Sequence, residues 1–355
     1  MCKRLDSQFT ASPPVGSIAM RGRATYVRNS DVTSTREKNM HMRRLGRTDI
    51  DIAPVVFGGN VFGWTADEQT SFALLDRFVG AGFNAIDTAD VYSAWAEGNK
   101  GGESETIIGN WLKRGGVKRE DVVIITKVGS EMGPGMKGLK EGWIMQAVED
   151  SLQRLRTDYL DVYLAHWPDP ETEYEETIAA FTKLREQGKV RAIGASNLDA
   201  AQLEEALRVA EHTGRARYDV LQPEYNLYAR SGFEGALAEL CVEHDIGVIT
   251  YFSLASGFLT GKYKSADDAE GQARAGSVAK YFDDRGRRIL RALETVSADT
   301  GEHPAAIALA WLMTRRGVTA PIASASRLEQ MDTLLRAPEI ALSQEALQLL
   351  QEAGE

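Results

Sequence analysis

The stretch DVYLAHWPDP, residues 161–170, decides how the rest of the chain is read. Val162, Tyr163 and Leu164 favour the pleat, while Pro168 and Pro170 forbid its continuation, so this is a buried strand that stops abruptly. His166 therefore stands where a strand gives way to a loop. Two other strand-like runs end in ionisable groups in the same way. FNAIDTADVY (83–92) closes on Asp87 and Tyr92, and DVVIITK (121–127) closes on Lys127. A closed parallel α/β barrel would gather all four side chains at one mouth, the end where such barrels carry their chemistry.

Outward from these segments a rhythm sets in. Strand-like runs near 52–58, 83–87, 121–127, 159–166, 189–195, 218–222, 246–251 and 318–323 alternate with helical stretches. The helices are expected near 67–81, 103–114, 141–156, 173–187, 199–212, 233–244, 286–316 (split at Pro304) and 326–336, with a last one near 343–353. Eight strands each followed by helix imply a parallel sheet with helical crossovers, and runs such as VVIIT are apolar on both faces, as a doubly covered sheet requires. The expected fold is a (β/α)8 barrel over residues 42–355, with an open doubly wound sheet as the competitor. Residues 1–41 hold Pro13-Pro14 and no periodicity, and read as a disordered or spurious extension ahead of a start near Met40 or Met42. Long loops at 92–103 and 252–285 are expected as lids or binding loops on the active face.

Composition narrows the function. A net charge of −10 without a basic stripe argues against nucleic acid. No apolar run approaches the roughly 20 residues of a membrane span. Cys2 and Cys241 offer neither a disulfide framework nor a metal spacing, which favours a reducing, cytoplasmic setting. The five histidines show no HxH or HExxH pattern, so no metal is expected.

Asp87, Tyr92, Lys127 and His166 together form an acid–base device. A free phenol titrates near ~10, and a neighbouring ammonium favours its ionised form. Lys127 can supply that field if Asp87 holds it charged, and His166 can hydrogen-bond a substrate oxygen beside Tyr92. The set suits protonation of an alkoxide formed when hydride reaches a carbonyl.

NAIDTADVYS (84–93), VIITKVG (123–129), LDVYLAHWPD (160–169), VRAIGASN (190–197), LQPEYNLYAR (221–230), ASGFLTGKY (255–263) and PIASASRLEQM (321–331) together resemble the aldo-keto reductase superfamily over most of residues 42–340. The resemblance implies a (β/α)8 barrel that interconverts carbonyls and alcohols with a nicotinamide cofactor, Tyr92 being the general acid of an Asp87–Tyr92–Lys127–His166 tetrad. No GxGxxG precedes a helix in the dinucleotide-binding context. In the resembled family the cofactor instead lies across the barrel mouth. Ser196, Asn197 and Gln222 would then bond the nicotinamide amide and Tyr251 would stack on its ring. The segment SLASGFLTGK, with Ser253, Leu254, Gly257 and Lys262, would cradle the pyrophosphate. Ser324, Ser326 and Arg327 at the start of a helix make a phosphate site, with Gln330 also on the cofactor, and Arg327 would partner an adenosine 2′-phosphate, hence NADP(H) over NAD(H).

Two departures are visible. Thr333 and Leu334 stand where many members carry a polar pair near adenine, and Phe252-Ser253 replaces the usual Ser-Pro after Tyr251. Phe62, Trp64, Trp95, Trp167 and Phe252 are expected to wall a pocket for an apolar or aromatic carbonyl or alcohol. A homo-oligomer is compatible with all of this. The resembling potassium-channel β subunits supply the rival reading, a cofactor-binding regulatory subunit of low turnover.

Overall fold

The computed structural model describes residues 41–263, 265, 268 and 275–355. The expectation for residues 1–40, and most of the segment DDAEGQARAGS (267–277), lie outside the described residues. Strands β1 (Arg43–Arg44) and β2 (Asp51–Ile52) form an antiparallel hairpin. Eight further strands follow: β3 (Val56–Gly58), β4 (Ala85–Asp87), β5 (Val123–Val128), β6 (Leu160–Ala165), β7 (Val190–Ser196), β8 (Val220–Gln222), β9 (Gly247–Thr250) and β10 (Val318–Ala323). They close into a parallel barrel in sequence order, β10 returning to β3. The crossovers carry α1 (Glu68–Gly80), α2 (Glu103–Arg114), α3 (Glu141–Leu155), α4 (Tyr174–Glu186), α5 (Ala200–Thr213) and α6 (Ala236–Glu243). A short α7 (Ala275–Val278), then α8 (Asp284–Thr300), α9 (Pro304–Met313), α10 (Leu328–Arg336) and α11 (Gln344–Ala353) complete the ring.

Local signals explain the breaks. Gly301, at φ 73°, caps α8 in the left-handed region that glycine tolerates, and Pro304 opens α9 where its missing N–H costs nothing. Asp199 and Gln202 form a reciprocal capping box at the start of α5. The run 52–58 departs from expectation. It is not one strand: Ile52 belongs to the hairpin, and β3 begins only after Pro54.

The pleat then sorts the side chains. Ala85, Val123, Ile125, Val162, Leu164, Ala192, Val220, Ile249, Ala320 and Ile322 fill the barrel interior. Their sequence neighbours, such as Ile124, Tyr163 and Ile193, face the helices. Leu45, Ile50 and Ile52 join the interior cluster, so the hairpin plugs the barrel floor. Glycine is required there: a Cβ on Gly46 would lie 2.4 Å from the Gly247 nitrogen.

Candidate active site

Side chains two residues apart on a strand share a face. Continuing each interior row past its last apolar member, by one step or, on β7, by two across Gly194, reaches Gly58, Asp87, Lys127, His166, Ser196, Gln222, Tyr251 and Ser324. The eight strands therefore deliver one residue each to the C-terminal mouth, and seven of these eight were singled out from the sequence.

Lys127 is wholly buried, and its ammonium has an acceptor for each proton. Nζ lies 2.8 Å from both oxygens of Asp87, 2.8 Å from the Thr88 carbonyl and 2.8 Å from the Tyr92 hydroxyl. Burial pulls the amine below its usual range and the Asp87 carboxylate opposes that pull. With three acceptors at bonding distance, the ammonium form is the one this geometry holds. Tyr92, on the loop after β4, accepts from Lys127 and donates to Asp87 Oδ2 at 3.3 Å.

One expectation about that phenol is corrected. The sequence suggested that Lys127 would make it more acidic than usual. Burial, followed by the Asp87 charge, instead pushes it well above its ordinary value. Desolvation of a phenolate and a carboxylate at 3.3 Å outweigh the single ammonium, so Tyr92 rests fully protonated.

His166 is pushed down to about 3, by burial first and the Lys127 charge second, and its imidazole is neutral near pH 7. Its Nδ1 lies 3.0 Å from the hydroxyl of Ser130, a residue the sequence reading did not identify.

The other expected residues fall into linked groups. Gln222 Nε2 donates to Asp87 Oδ1 at 2.8 Å. Ser196 Oγ donates to the Gln222 carbonyl at 2.7 Å. Asn197, at φ 62°, donates to the His166 carbonyl at 2.8 Å and accepts from the Tyr251 hydroxyl at 2.6 Å. Beyond β9, Ala255, Ser256 and Gly257 occupy the left-handed region in succession, at φ 48°, 58° and 96°. The Lys262 chain crosses Gly257, where a Cβ would lie 3.8 Å from Nζ. Ser253 is buried and donates to the Thr250 carbonyl at 2.9 Å, while Leu254 is half-buried beside it.

At the start of α10, Ser324 donates to Asn60 at 2.7 Å, Ser326 bonds Thr65 at 2.8 Å, and Gln330 caps the Ser326 N–H at 2.8 Å. Arg327 is exposed and its guanidinium has no hydrogen bond or ion pair among the described residues. Trp95 and Trp167 are 50% and 51% exposed at the rim. Trp95 meets Trp64 and Tyr92 edge-on, Trp167 stacks on His166, and exposed Phe252 adjoins Tyr251. Phe62 is the exception: it is 0% exposed, its ring packed edge-on against Phe57. A ring that close to the barrel wall gains more from the core than from the mouth, so Phe62 is no wall residue as it stands.

Behind Asp87 lies a polar cluster that the sequence did not flag. Glu105 on α2 accepts from Thr126 and Arg154, each at 2.6 Å. Asp90 is buried with its Oδ2 unpartnered among the described residues, and burial followed by the Glu105 charge pushes its carboxyl up to about 8. Asp90 is a loop carboxylate three residues after Asp87, and the folded chain buries it within reach of the Glu105 charge on α2.

A sequence model described as the Aldo/keto reductase family matches residues 54–355. The "Uncharacterized oxidoreductase YrpG" of Bacillus subtilis is 33% identical over 318 residues, covering 88% of this chain and 95% of that protein. A "Probable voltage-gated potassium channel subunit beta" of Oryza sativa subsp. japonica is 32% identical over 309 residues, covering 85% and 92%. "Aldo-keto reductase AFTS1" of Alternaria alternata is 31% identical over 356 residues, covering 91% and 94%.

Proposed function

The chain belongs to the aldo/keto reductase family, a family of oxidoreductases, and from that premise we propose that it is an NADP(H)-dependent enzyme interconverting aldehydes or ketones with alcohols. The observation that carries the proposal is the Lys127 ammonium held 2.8 Å from both Asp87 and the Tyr92 hydroxyl.

In the reductive direction Tyr92 gives its proton to the developing alkoxide. A phenol that rests protonated is ready for that role. The phenolate it leaves behind already faces the Lys127 ammonium, so the charge is met without rearrangement. Asp87 holds Lys127 charged and in register. The Ser130 hydroxyl beside Nδ1 can donate to the neutral His166 ring, and in that tautomer Nε2 carries the proton that would orient the substrate oxygen.

The residues around the mouth suit a dinucleotide. The backbone passes through three successive left-handed residues, Ala255 to Gly257, close beside Lys262, whose ammonium would meet the pyrophosphate. Arg327 has its whole guanidinium fork available beside a helix start, which fits a 2′-phosphate and favours NADP(H). Ser196, Asn197 and Gln222 would hold the nicotinamide amide, Tyr251 would lie against its ring, and Ser253, Leu254, Ser324, Ser326 and Gln330 would line the rest. When bound, that cofactor supplies or accepts the hydride. The exposed rings of Trp95, Trp167 and Phe252, with half-buried Trp64 against Trp95, favour an apolar or aromatic substrate.

The test is a substrate screen that follows absorbance of the reduced cofactor, run with NADPH and NADH against aryl aldehydes, ketones and alcohols. Turnover of at least about 1 s⁻¹ with one substrate, the low end of ordinary enzymes, supports the proposal. The likeness to the potassium channel β subunit motivates a second reading, a cofactor-binding regulatory subunit. Tight NADPH binding with turnover far below that rate across the whole panel would favour it.

A further inference from the structure

The far end of the barrel is hollowed as well. A cleft of about 790 Å³ opens beside the floor hairpin, among the loops that precede β7 and β8. Its ionisable lining is Arg47, Arg185, Arg191, Arg215 and Arg217 against only Asp49 and Asp219. This is a positive hollow on a chain whose net charge is −10.

The arginines come from four separate segments: the hairpin loop, the end of α4, the second residue of β7, and the stretch between α5 and β8. Their pairing is incomplete. Arg191 reaches Asp161 at 2.6 Å and Asp49 at 3.2 Å. Arg217 spans Asp219 and the His244 carbonyl. Arg185, by contrast, touches Asp219 only through Nη1, at 3.6 Å, and Arg215 uses only Nη1, toward Glu175. Arg47 is exposed and has no side-chain hydrogen bond or ion pair among the described residues.

A guanidinium has five donors. Three of these five arginines thus present most of their forks unengaged to one concavity. Arginine near a helix C-terminus does offset the helix dipole. That accounts for Arg185 and Arg215 singly, but not for five converging from separate segments.

We propose that this cleft binds a small molecule bearing at least two oxyanionic groups, phosphate or carboxylate, independently of the catalytic mouth. Its volume suits a small-molecule ligand, and planar forks recognise such groups two bonds at a time.

The experiment is isothermal titration of the purified chain with tripolyphosphate and, separately, with citrate. Four proteins are compared: the native chain, Arg47→Ala, the double variant Arg185→Ala/Arg215→Ala, and Arg327→Ala as the control at the opposite end. The expected result is saturable binding of at least one probe. The double variant weakens it tenfold or more and Arg47→Ala about threefold; Arg327→Ala removes at most a separate component at the mouth and leaves the cleft component within twofold. Raising salt weakens it further. Arg47 is exposed and unpaired, so its loss leaves the fold intact and reads binding alone. Stronger binding of tripolyphosphate assigns the cleft to phosphate, and stronger binding of citrate to carboxylate; both support it. No saturable binding of either probe overturns it. So does binding that survives both cleft variants and disappears in Arg327→Ala.

Discussion

Replacing Tyr92 by phenylalanine deletes one hydroxyl and leaves the rest of the tetrad in place. That hydroxyl accepts from Lys127 at 2.8 Å and donates to Asp87 at 3.3 Å. Lys127 keeps two of its three acceptors, Asp87 and the Thr88 carbonyl. The third N–H faces a half-buried position that water can reach, so the stability cost falls near the lower end, about 1 kcal/mol, for an orphaned donor. The kinetic cost is larger. General acid catalysis supplies roughly 10²–10⁴-fold, equivalent to about 3–5 kcal/mol of barrier. The expected outcome is a fall of that size in kcat for carbonyl reduction, followed by absorbance of the reduced cofactor. Cofactor affinity, read by fluorescence titration, stays within about twofold because no proposed cofactor contact is removed. The native enzyme carries a pH signature as well: with the phenol held above its ordinary value, its acid form persists and Tyr92 produces no fall in reductive kcat through the neutral range. Turnover of the variant within about threefold of native would refute the assignment. A fall in native kcat centred below pH 8 that vanishes in the variant would refute the account of the resting phenol.

Arg327→Ala is expected to weaken NADPH binding by about 10–100-fold, the range of a lost charge-assisted hydrogen bond, and to leave NADH binding unchanged. Equal losses for both cofactors would remove the 2′-phosphate role. Asp90→Asn should stabilise the fold at high pH. The carboxyl is pushed up to about 8 in the folded chain, against ~3.9 unfolded, so the unfolded state binds fewer protons between those values. The stabilisation it confers is full below pH 4 and is lost as pH rises to 8. An amide lacks that dependence, so the variant's melting temperature should exceed native by several degrees at pH 8 and converge with it near pH 4; no gain at pH 8 would contradict the burial argument. Gly109→Ala would set a Cβ 2.1 Å from the Arg154 carbonyl, backbone that cannot give way. It should cost about 1–3 kcal/mol or more in urea unfolding, and native-like stability would show that α2 and α3 are free to separate.

The barrel could be read from the chain because its signals are local and repeat. Each interior row runs apolar and then turns polar at the mouth, as Ile125 gives way to Lys127 and Leu164 to His166. What stayed hidden depends on burial and on charges brought from elsewhere. The hairpin escaped because two-residue strands have no period, and Pro54 falls within a run that otherwise looks continuous. Phe62 looked like a wall residue because an aromatic after a strand can turn either way. Asp90 went unremarked because its burial beside the Glu105 charge arises only on folding. The sign of the Tyr92 shift was missed because the sequence showed the lysine's field but not the desolvation and the Asp87 charge that overrule it.

The barrel seam has a kinetic consequence. β10 meets β3 through only two register pairs, Ile322 with Val56 and Ala323 with Phe57. Every other joint links strands neighbouring in sequence, whereas this one closes a loop that runs from residue 58 to residue 318. Joining such distant segments is entropically slow and gives no reward until it is complete. Meanwhile the free backbone of β3 stands open to the wrong partner. Of all the steps in assembling this molecule, fastening that last joint is the one most exposed to competition from aggregation.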